Sequence, residues 1–167
     1  MAIKKMLKYL LSFFRTILLF EAKNNKKKIF FKNIKIKTYY SSKEIRDTLV
    51  LRYLKEANRI ERFKKKKNLV VLFYKKKATC LGWTYEGSSI YASEINKIIN
   101  KKNCIFLFDY KTFPKFRNMG FYTKLLSLII NKTTNKIFLI YCLKSNNPSK
   151  KAILKAGFTL IKNLKRF

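Results

Sequence analysis

The chain has 167 residues, of which 48% are hydrophobic, and this is enough to bury the core of one domain. It carries 40 Lys and Arg residues against 8 Asp and Glu residues, a formal net charge of +32. The 15 Phe and 10 Tyr residues exclude a wholly disordered chain. We therefore predict a single domain over residues 1–167, in which residues 1–28 form a basic and apolar N-terminal extension.

The high positive charge has two explanations. Strongly basic proteins commonly bind nucleic acid, anionic membrane or phosphorylated ligands. This chain, however, favours residues with AT-rich codons, such as Lys, Ile, Asn, Phe and Tyr, and has only 4 Gly and 2 Pro. Most of its basic residues are Lys, whereas proteins that bind phosphates and bases tend to use Arg. We attribute much of the charge to genome composition, so nucleic acid is not a predicted partner.

The cysteines are Cys80, Cys104 and Cys142, all in apolar runs, and the chain has no histidine. An odd number of cysteines without a CxxC motif disfavours both a disulfide framework and a zinc site. We predict buried thiols, no bound metal and a cytoplasmic location.

Residues 1–22 are apolar on nearly every face of a helix, but Lys8 and Arg15 interrupt them, so no apolar span of bilayer length exists. Two hypotheses remain open. In one, the segment is a helix that packs on the domain or on a second subunit of a homodimer. In the other, residues 1–28 lie as a basic helix on the inner face of an anionic membrane.

The next segment predicts a strand followed by a helix. Ile29–Tyr39 contains β-branched and aromatic residues with partial alternation, which is typical of a strand. Ser41–Glu44 has the sequence of a capping box, and apolar residues at helical spacing continue from it to Ile60. Lys64–Lys67 is predicted to be a solvated helix end and turn.

The remaining pattern predicts a mixed α/β sheet. Leu69–Tyr74 and Ala78–Tyr85 form a predicted hairpin, Glu86–Ser89 a turn, and Tyr91–Asn100 an ambiguous segment whose isoleucines suggest a short helix. Apolar strands then alternate with helices, in the order Cys104–Tyr110 (strand), Phe121–Ile130 (helix), Ile137–Leu143 (strand), Ser149–Ala156 (helix) and Phe158–Leu164 (strand).

The chain is organised around Pro114–Leu126, where a basic turn with one glycine joins an apolar strand to a helix. The free N–H groups and the dipole of a helix N-terminus attract anions, and glycine lets the backbone approach them. Arg117 adds charged donors at the same place. The alternative is an ordinary strand–helix connection in which Gly120 only provides the turn.

Three motifs resemble the GNAT superfamily of N-acetyltransferases. Residues 108–126 are FDYKTFPKFRNMGFYTKLL, followed by NNPS at Asn146–Ser149 and KAGF at Lys155–Phe158. In that family a strand precedes V-x-P-x-x-R/Q-x-x-G-x-G/A at a helix start. Later in the chain comes an Asn, then a Ser three residues on, and then a Gly-Phe pair eight residues after that Ser. The resemblance covers roughly residues 68–160 and implies a GNAT-like mixed sheet.

The resemblance also implies a site for acetyl-CoA. Backbone N–H groups of the central loop bind the pyrophosphate in the family, and the pantetheine arm adds to an exposed strand edge. The residues implied to bind the cofactor are Lys111, Thr112, Phe113, Arg117, Asn118, Met119, Gly120, Phe121, Tyr122, Thr123, Asn146 and Ser149. The implied reaction is direct attack of an amine on the thioester, which needs a base but no protein nucleophile.

Because the chain lacks histidine, we look for the base among the carboxylates. The candidates are Glu86, Glu94 and Asp109. Asp109, at the end of the central strand, is our first choice as the catalytic base and Glu86 is the second. For Asp109 the alternative is a carboxylate that caps a turn or pairs with a lysine, and for Glu86 it is a solvated carboxylate in a turn.

The chain departs from the family pattern at three places. Tyr122 replaces the last Gly or Ala of the loop. Ile153 stands where members often have a tyrosine that protonates the thiolate. Few residues follow Gly157, so the C-terminal hairpin of the fold is predicted to be truncated, with the sheet completed by the N-terminal segment or by a second subunit.

Together these features predict a cytoplasmic, acetyl-CoA-dependent N-acetyltransferase that acts on a small-molecule amine. The loop variant also occurs in members of the family associated with surface-sugar biosynthesis, so the resemblance suggests a nucleotide-linked amino sugar as the amine. The alternatives are a protein or peptide N-acetyltransferase and a non-catalytic basic module that binds nucleic acid or anionic membrane.

Overall fold

The computed structural model describes residues 15–23, 29–132 and 135–166. In these ranges seven strands form one sheet, and four helices cover it. In chain order the elements are β1 (Thr16–Lys23), β2 (Ile34–Tyr39), α1 (Thr48–Lys55), α2 (Glu61–Lys64), β3 (Asn68–Tyr74), β4 (Lys77–Ala92), β5 (Lys97–Thr112), α3 (Phe121–Lys132), β6 (Ile137–Leu143), α4 (Asn147–Lys155) and β7 (Thr159–Lys165).

The sheet has the strand order β2-β3-β4-β5-β6-β1-β7. Neighbouring strands are antiparallel except β5 and β6, which are parallel. A mixed sheet of this kind was predicted from the early hairpin and the later strand–helix units, and it is confirmed.

The first strand corrects the prediction of an N-terminal helix. Thr16–Lys23 is β1, which lies between β6 and β7. Ile17 and Leu19 pack on one face of the sheet, whereas Leu18 and Phe20 pack on the other. A strand that is buried on both faces has a continuous apolar run, and so does a buried helix, which explains the error. Residues 1–14 and 24–28 lie outside the described residues, so their contact with a membrane stays a prediction.

Strand β1 therefore completes the sheet from within the chain. This agrees with the predicted alternative in which the N-terminal segment, and not a second subunit, completes the sheet. None of the helices in the described ranges has the length and apolar character to span a bilayer. The three cysteines are buried and unpaired.

Three local predictions were wrong for identifiable reasons. Ser41 caps only a short 3-10 turn, and the helix α1 begins later because the Asp47 carboxylate accepts hydrogen bonds from the N–H groups of Leu49 and Val50. Gly87 does not form a turn but lies inside β4, where the β4–β5 register shifts. The segment Tyr91–Asn100 is the tip of the β4–β5 hairpin and contains no helix.

The helices cover opposite faces of the sheet. Helices α3 and α4 pack on one face over a core that includes Phe121, Leu125 and Ile153. The segment from α1 to α2 packs on the other face, where Tyr53 and Trp83 are fully buried. Beside it, the tip of the β4–β5 hairpin encloses a third apolar cluster.

The parallel strands β5 and β6 separate near the middle of the sheet. Their pairing runs from Cys104 with Ile137 to Leu107 with Ile140 and then stops, although both strands continue. At the same level β5 bulges against β4: the register shifts between Leu81 and Trp83, and Asp109 has a positive φ of 51°. The separation leaves a gap between the two strands.

Candidate functional site

The gap between β5 and β6 is part of a cavity of about 1170 Å3. Its walls come from both faces of the sheet. On one side lie the loop before α3 and the start of α4, which we call the donor half. On the other side lie the segment after α1, the tip of the β4–β5 hairpin and Tyr141, which we call the acceptor half.

The N-terminus of α3 opens onto the donor half. Asn118 and Gly120 have positive φ values of 62° and 72°, so the chain turns sharply before the helix. The first hydrogen bond of α3 runs from Lys124 N–H to the Gly120 carbonyl (3.0 Å). The N–H groups of residues 121–123 therefore precede the helical ladder and point outward from the helix end. A Cβ on Gly120 would meet no atom within 4 Å, so the space next to this backbone is open to an anion.

Helix α4 also begins at the donor half. The Asn146 side chain accepts a hydrogen bond of 3.1 Å from the Ser149 N–H and so caps the helix. This contact uses the side-chain oxygen of Asn146 and leaves its amide NH2 group for a ligand. The Tyr122 and Ser149 hydroxyls lie 3.5 Å apart and link the starts of α3 and α4.

The strand edge between the two halves is open. From Phe108 onward β5 pairs only with β4, because its pairing with β6 has ended at Leu107. Lys111 and Thr112 lie on this part of the strand and line the cavity. An extended chain that carries amide groups can add to such an edge.

The acceptor half contains a hydrogen-bonded cluster centred on Asp109. One carboxylate oxygen, Oδ2, accepts hydrogen bonds from Tyr53 (3.1 Å), Arg59 (3.2 Å) and Arg62 (2.6 Å). The Tyr53 hydroxyl in turn accepts a hydrogen bond of 3.0 Å from the Trp83 indole. Burial raises the pKa of Asp109, but the two guanidinium groups outweigh it and the pKa lies below the ordinary value. The cluster fixes the segment after α1 to the bulge of β5.

A second carboxylate, Glu94, faces the acceptor half from the hairpin tip. Its Oε2 accepts hydrogen bonds from Tyr141 (3.1 Å) and Ser93 (3.3 Å). Within the described residues it has no ion pair, and no donor contacts its Oε1. Tyr141 is the residue of β6 that follows the last pair with β5. Burial and the Glu94 carboxylate raise the pKa of Tyr141, so its hydroxyl stays protonated and remains a donor.

The fold has counterparts among solved structures. The chain aligns with a GNAT-family acetyltransferase from Colwellia psychrerythraea with a TM-score of 0.57 and 14% identity, over 90% of this chain and 53% of that one. It aligns with a GCN5-related N-acetyltransferase from Sphaerobacter thermophilus with a TM-score of 0.58 and 10% identity, over 96% and 54% of the two chains. It also aligns with an aminoglycoside N-acetyltransferase, AAC(6')-Iy, in complex with CoA, with a TM-score of 0.53 and 13% identity, over 77% and 93%.

The fold is that of the GNAT acetyltransferases. The predicted fold class is thereby confirmed. The chain spans about half of the length of the Colwellia and Sphaerobacter proteins. No protein-family model matches the sequence, and no curated protein matches it either.

Most of the residues that the GNAT resemblance implied for the cofactor lie together in the cavity. The ones that line it are Lys111, Thr112, Arg117, Asn118, Gly120, Phe121, Tyr122, Thr123, Asn146 and Ser149. Phe113 does not, because it is buried in the core and its N–H donates to the Thr79 carbonyl (2.9 Å). Met119 lines a smaller cavity next to Lys124 and Lys155.

The two predicted bases have different surroundings from those expected. Asp109 lines the cavity, but its ion pairs and lowered pKa make it a poor proton acceptor. Glu86 does not line the cavity, since it lies on β4 opposite Ile105 and pairs with Lys136. Glu94, which the sequence offered as a third carboxylate, lines the cavity.

Sequence patterns missed the cationic groups of the acceptor half. Arg59, Arg62 and Lys67 all line the cavity. Lys67 was predicted to be solvated, yet it is half-buried and lies over the rings of Phe108 and Tyr85. A run of four lysines does not reveal which one turns inward, so no signal in the sequence singled it out.

Proposed function

We propose that the protein is an acetyl-CoA-dependent N-acetyltransferase whose acceptor is a small-molecule amine. The observation that carries the proposal is the open edge of β5 beyond Leu107, placed beside the free N–H groups at the start of α3. An edge that takes up an amide-containing arm and a helix end that takes up phosphates are the two features that a CoA thioester needs.

The residues of the donor half fit this ligand. The N–H groups of residues 121–123 and the Arg117 guanidinium would hold the pyrophosphate, and the amide NH2 of Asn146 would hold the arm. A backbone N–H on β5 between Phe108 and Lys111 would polarise the thioester carbonyl. Acetyl-CoA supplies an acetyl thioester that an amine attacks directly, so that a carbon–nitrogen bond replaces the carbon–sulfur bond, one proton leaves the nitrogen and one joins the sulfur.

Glu94 is the proposed acceptor of the amine proton. Its Oε1 has no partner among the described residues, and Tyr141 and Ser93 hold its other oxygen. A carboxylate that is oriented but carries no ion pair is a better base than Asp109, which two arginines stabilise in its charged form.

Tyr122 is the proposed donor to the sulfur. Its hydroxyl lies beside Ser149 at the start of α4, in the wall of the donor half. Burial raises the pKa of Tyr122, so the phenol is protonated at neutral pH. The family position for this role is Ile153, whose side chain is fully buried in the core and cannot reach the cavity.

The experiment that tests the proposal is thermal unfolding with and without acetyl-CoA at moderate salt, followed by mass spectrometry of products formed from a panel of amines. We expect acetyl-CoA to raise the Tm by mass action, and an amine to gain an acetyl group. If acetyl-CoA leaves the Tm unchanged, the donor site is wrong. If it binds but no amine in the panel is acetylated, small amines are wrong as acceptors, and peptide N-termini become the next class to assay.

Two glycine variants make a matched pair for this test. Gly120 and Gly157 both have a positive φ, and a Cβ on either would meet no atom within 4 Å. Alanine is therefore strained at both positions, by about 1–2 kcal/mol. We expect Gly120→Ala to weaken acetyl-CoA binding and Gly157→Ala to leave it unchanged, because only Gly120 lines the cavity. Equal binding by both variants would show that the loop before α3 is only a turn.

A further inference from the structure

In the acceptor half, Lys67 has no acidic partner among the described residues, and Arg62 shares its partner Asp109 with Arg59. We propose that Lys67 and Arg62 form a subsite for an anionic group, a carboxylate or a phosphate, carried by the amine acceptor. The proposal rests on the proposed function for the identity of the acceptor as an amine. It specifies the chemistry of the part of the acceptor that does not react.

Lys67 faces the cavity without a carboxylate beside it. Its Nζ lies 5.1 Å from the centroid of the Phe108 ring and 6.0 Å from that of Tyr85. Within the described residues it takes part in no ion pair and in no side-chain hydrogen bond. Its three N–H donors are thus available to a ligand.

The backbone fixes Lys67 in this position. Lys66 has a positive φ of 53°, and the N–H of Lys67 donates to the Arg62 carbonyl (3.1 Å). The chain therefore turns back after α2, so that Lys67 comes next to Arg62 while Lys64–Lys66 stay exposed. The backbone conformation of this turn therefore directs the Lys67 side chain toward the cavity.

Arg62 has spare donors, in contrast to Arg59. The Arg59 side chain donates to Asp109, to the Tyr53 carbonyl and to the Glu56 carbonyl. The Arg62 side chain makes one hydrogen bond that the structure describes, from Nη1 to Asp109. The rest of its planar group lies over Trp83 (5.1 Å) and Phe108 (5.6 Å) and can donate to a second oxyanion.

The two cations are close together. Both contact the Phe108 ring, and burial together with the charges of Arg62 and Lys65 lowers the pKa of Lys67. Asp109 neutralises one charge, but it is already shared between Arg59 and Arg62. An anionic ligand would relieve the repulsion between Lys67 and Arg62, whereas a neutral or cationic group would not.

The geometry also separates this subsite from the reacting groups. Lys67 and Arg62 lie on the side of the cavity formed by the segment after α1, and Glu94 lies at the hairpin tip. An acceptor that places its amine near Glu94 can thus place its anionic group on Lys67. Phe108 lines the cavity beside Lys67 and Arg62, and Tyr141 lines it beside Glu94.

The first test measures binding of inorganic phosphate and of acetate by NMR titration at about 0.2 M salt, where surface charges are largely screened. The titrations are made with and without saturating CoA, which fills the donor half. We expect Lys67→Met to weaken anion binding about tenfold or more, as loss of a charged hydrogen bond does. The matched control is Lys66→Met, which removes the same charge from an exposed side chain one residue away and should change binding by less than about twofold.

The outcomes separate this proposal from the proposed function. Equal anion binding by wild type and Lys67→Met overturns the subsite, whether or not CoA binds. If CoA does not bind but the anion binds in a Lys67-dependent way, the subsite stands and the acetyltransferase assignment fails. The two probes also distinguish a phosphate from a carboxylate, since the correct one binds more tightly.

A second test compares acceptors that differ in one group. We expect glucosamine 6-phosphate, or 4-aminobutanoate, to bind more tightly than the matched neutral compound, glucosamine or 4-aminobutanamide. In Lys67→Met this preference should fall about tenfold while the Kd for CoA stays the same. A preference for the anionic compound that survives in Lys67→Met would contradict the assignment.

Discussion

The Tyr141 hydroxyl lies 3.1 Å from the Glu94 carboxylate and donates a hydrogen bond to it. This contact joins β6 to the tip of the β4–β5 hairpin, across the place where β5 and β6 have separated. One Glu94 oxygen is held in this way, and the residue lines the cavity. The Tyr141 hydroxyl thus orients the Glu94 carboxylate and leaves Oε1 without a partner among the described residues.

Replacement of Glu94 tests this role. Glutamine at this position can still accept the Tyr141 hydrogen bond, but it cannot take a proton from the amine. We expect Glu94→Gln to lower kcat about 10²- to 10⁴-fold, as loss of a general base does, with little change in the Kd for acetyl-CoA. Glu86→Gln is the matched control, because Glu86 lies outside the cavity, and its kcat should equal that of wild type. A normal rate in Glu94→Gln would rule the base out.

Replacement of Tyr122 tests the donor to the sulfur. Phenylalanine keeps the ring that lies 5.4 Å from that of Tyr110 and removes only the hydroxyl. We expect Tyr122→Phe to lower kcat by about 10² or more, with the Kd for CoA within about twofold of wild type. Tyr40→Phe, at an exposed position, is the control. If Tyr122→Phe changes only the affinity for CoA, the hydroxyl is a binding group and not an acid.

The Asp109 cluster predicts how stability depends on pH. The arginines keep the native pKa of Asp109 below its ordinary value of 3.8. Its contribution to the free energy of unfolding is therefore complete above the unfolded pKa and is lost as the pH falls through the native one. We expect Asp109→Asn to lower the Tm at pH 7, and the difference from wild type to shrink below about pH 4.

Thermal unfolding of both proteins between pH 7 and pH 2 measures this difference. Because the Asp109 side chain is 34% exposed, the effect should also decrease with added salt. A Tm difference that does not change with pH would mean that the carboxylate contributes by shape and hydrogen bonding, and not by charge.

Gly82 of β4 lies next to the Tyr110 side chain in the bulge of β5, so a larger residue at position 82 should clash with that ring. A Cβ on Gly82 would lie 2.3 Å from the Tyr110 ring, which real structures do not tolerate. We expect Gly82→Ala to destabilise the protein by about 1–3 kcal/mol, because the ring or the strand must move. In a double variant, Tyr110→Leu should recover part of this loss, since a smaller side chain leaves room. Denaturant unfolding measures all four proteins, and additive effects would contradict the predicted contact.

Local motifs predicted the donor half of the site well. The backbone conformation at Gly120 and the cap formed by Asn146 on Ser149 depend on residues close together in sequence, and the spacing of those residues carries the information. The helices that follow them were predicted for the same reason. Neither required knowledge of distant contacts.

The acceptor half could not be predicted in this way. Asp109 meets Arg59 and Arg62 only because the segment after α1 folds over β5, and no local pattern specifies that contact. Gly87 suggested a turn, although in the fold it avoids a clash with the Tyr85 ring, 2.5 Å from a Cβ. The ambiguity between a buried strand and a buried helix likewise hid the nature of Thr16–Lys23.

The position of β1 has a consequence for how the protein folds. Strand β6, which forms one wall of the cavity, pairs with β1 on its far side. Among the described strands β1 comes first in the chain, whereas β6 and β7 come last. During synthesis the apolar segment Thr16–Lys23 therefore stays without a partner strand until β6 and β7 have been made. Contacts of such long sequence separation form slowly and leave unpaired apolar strands exposed in the meantime. The gap between β5 and β6 is thus expected to be among the last features to form, and the yield of folded protein should depend on protection of β1.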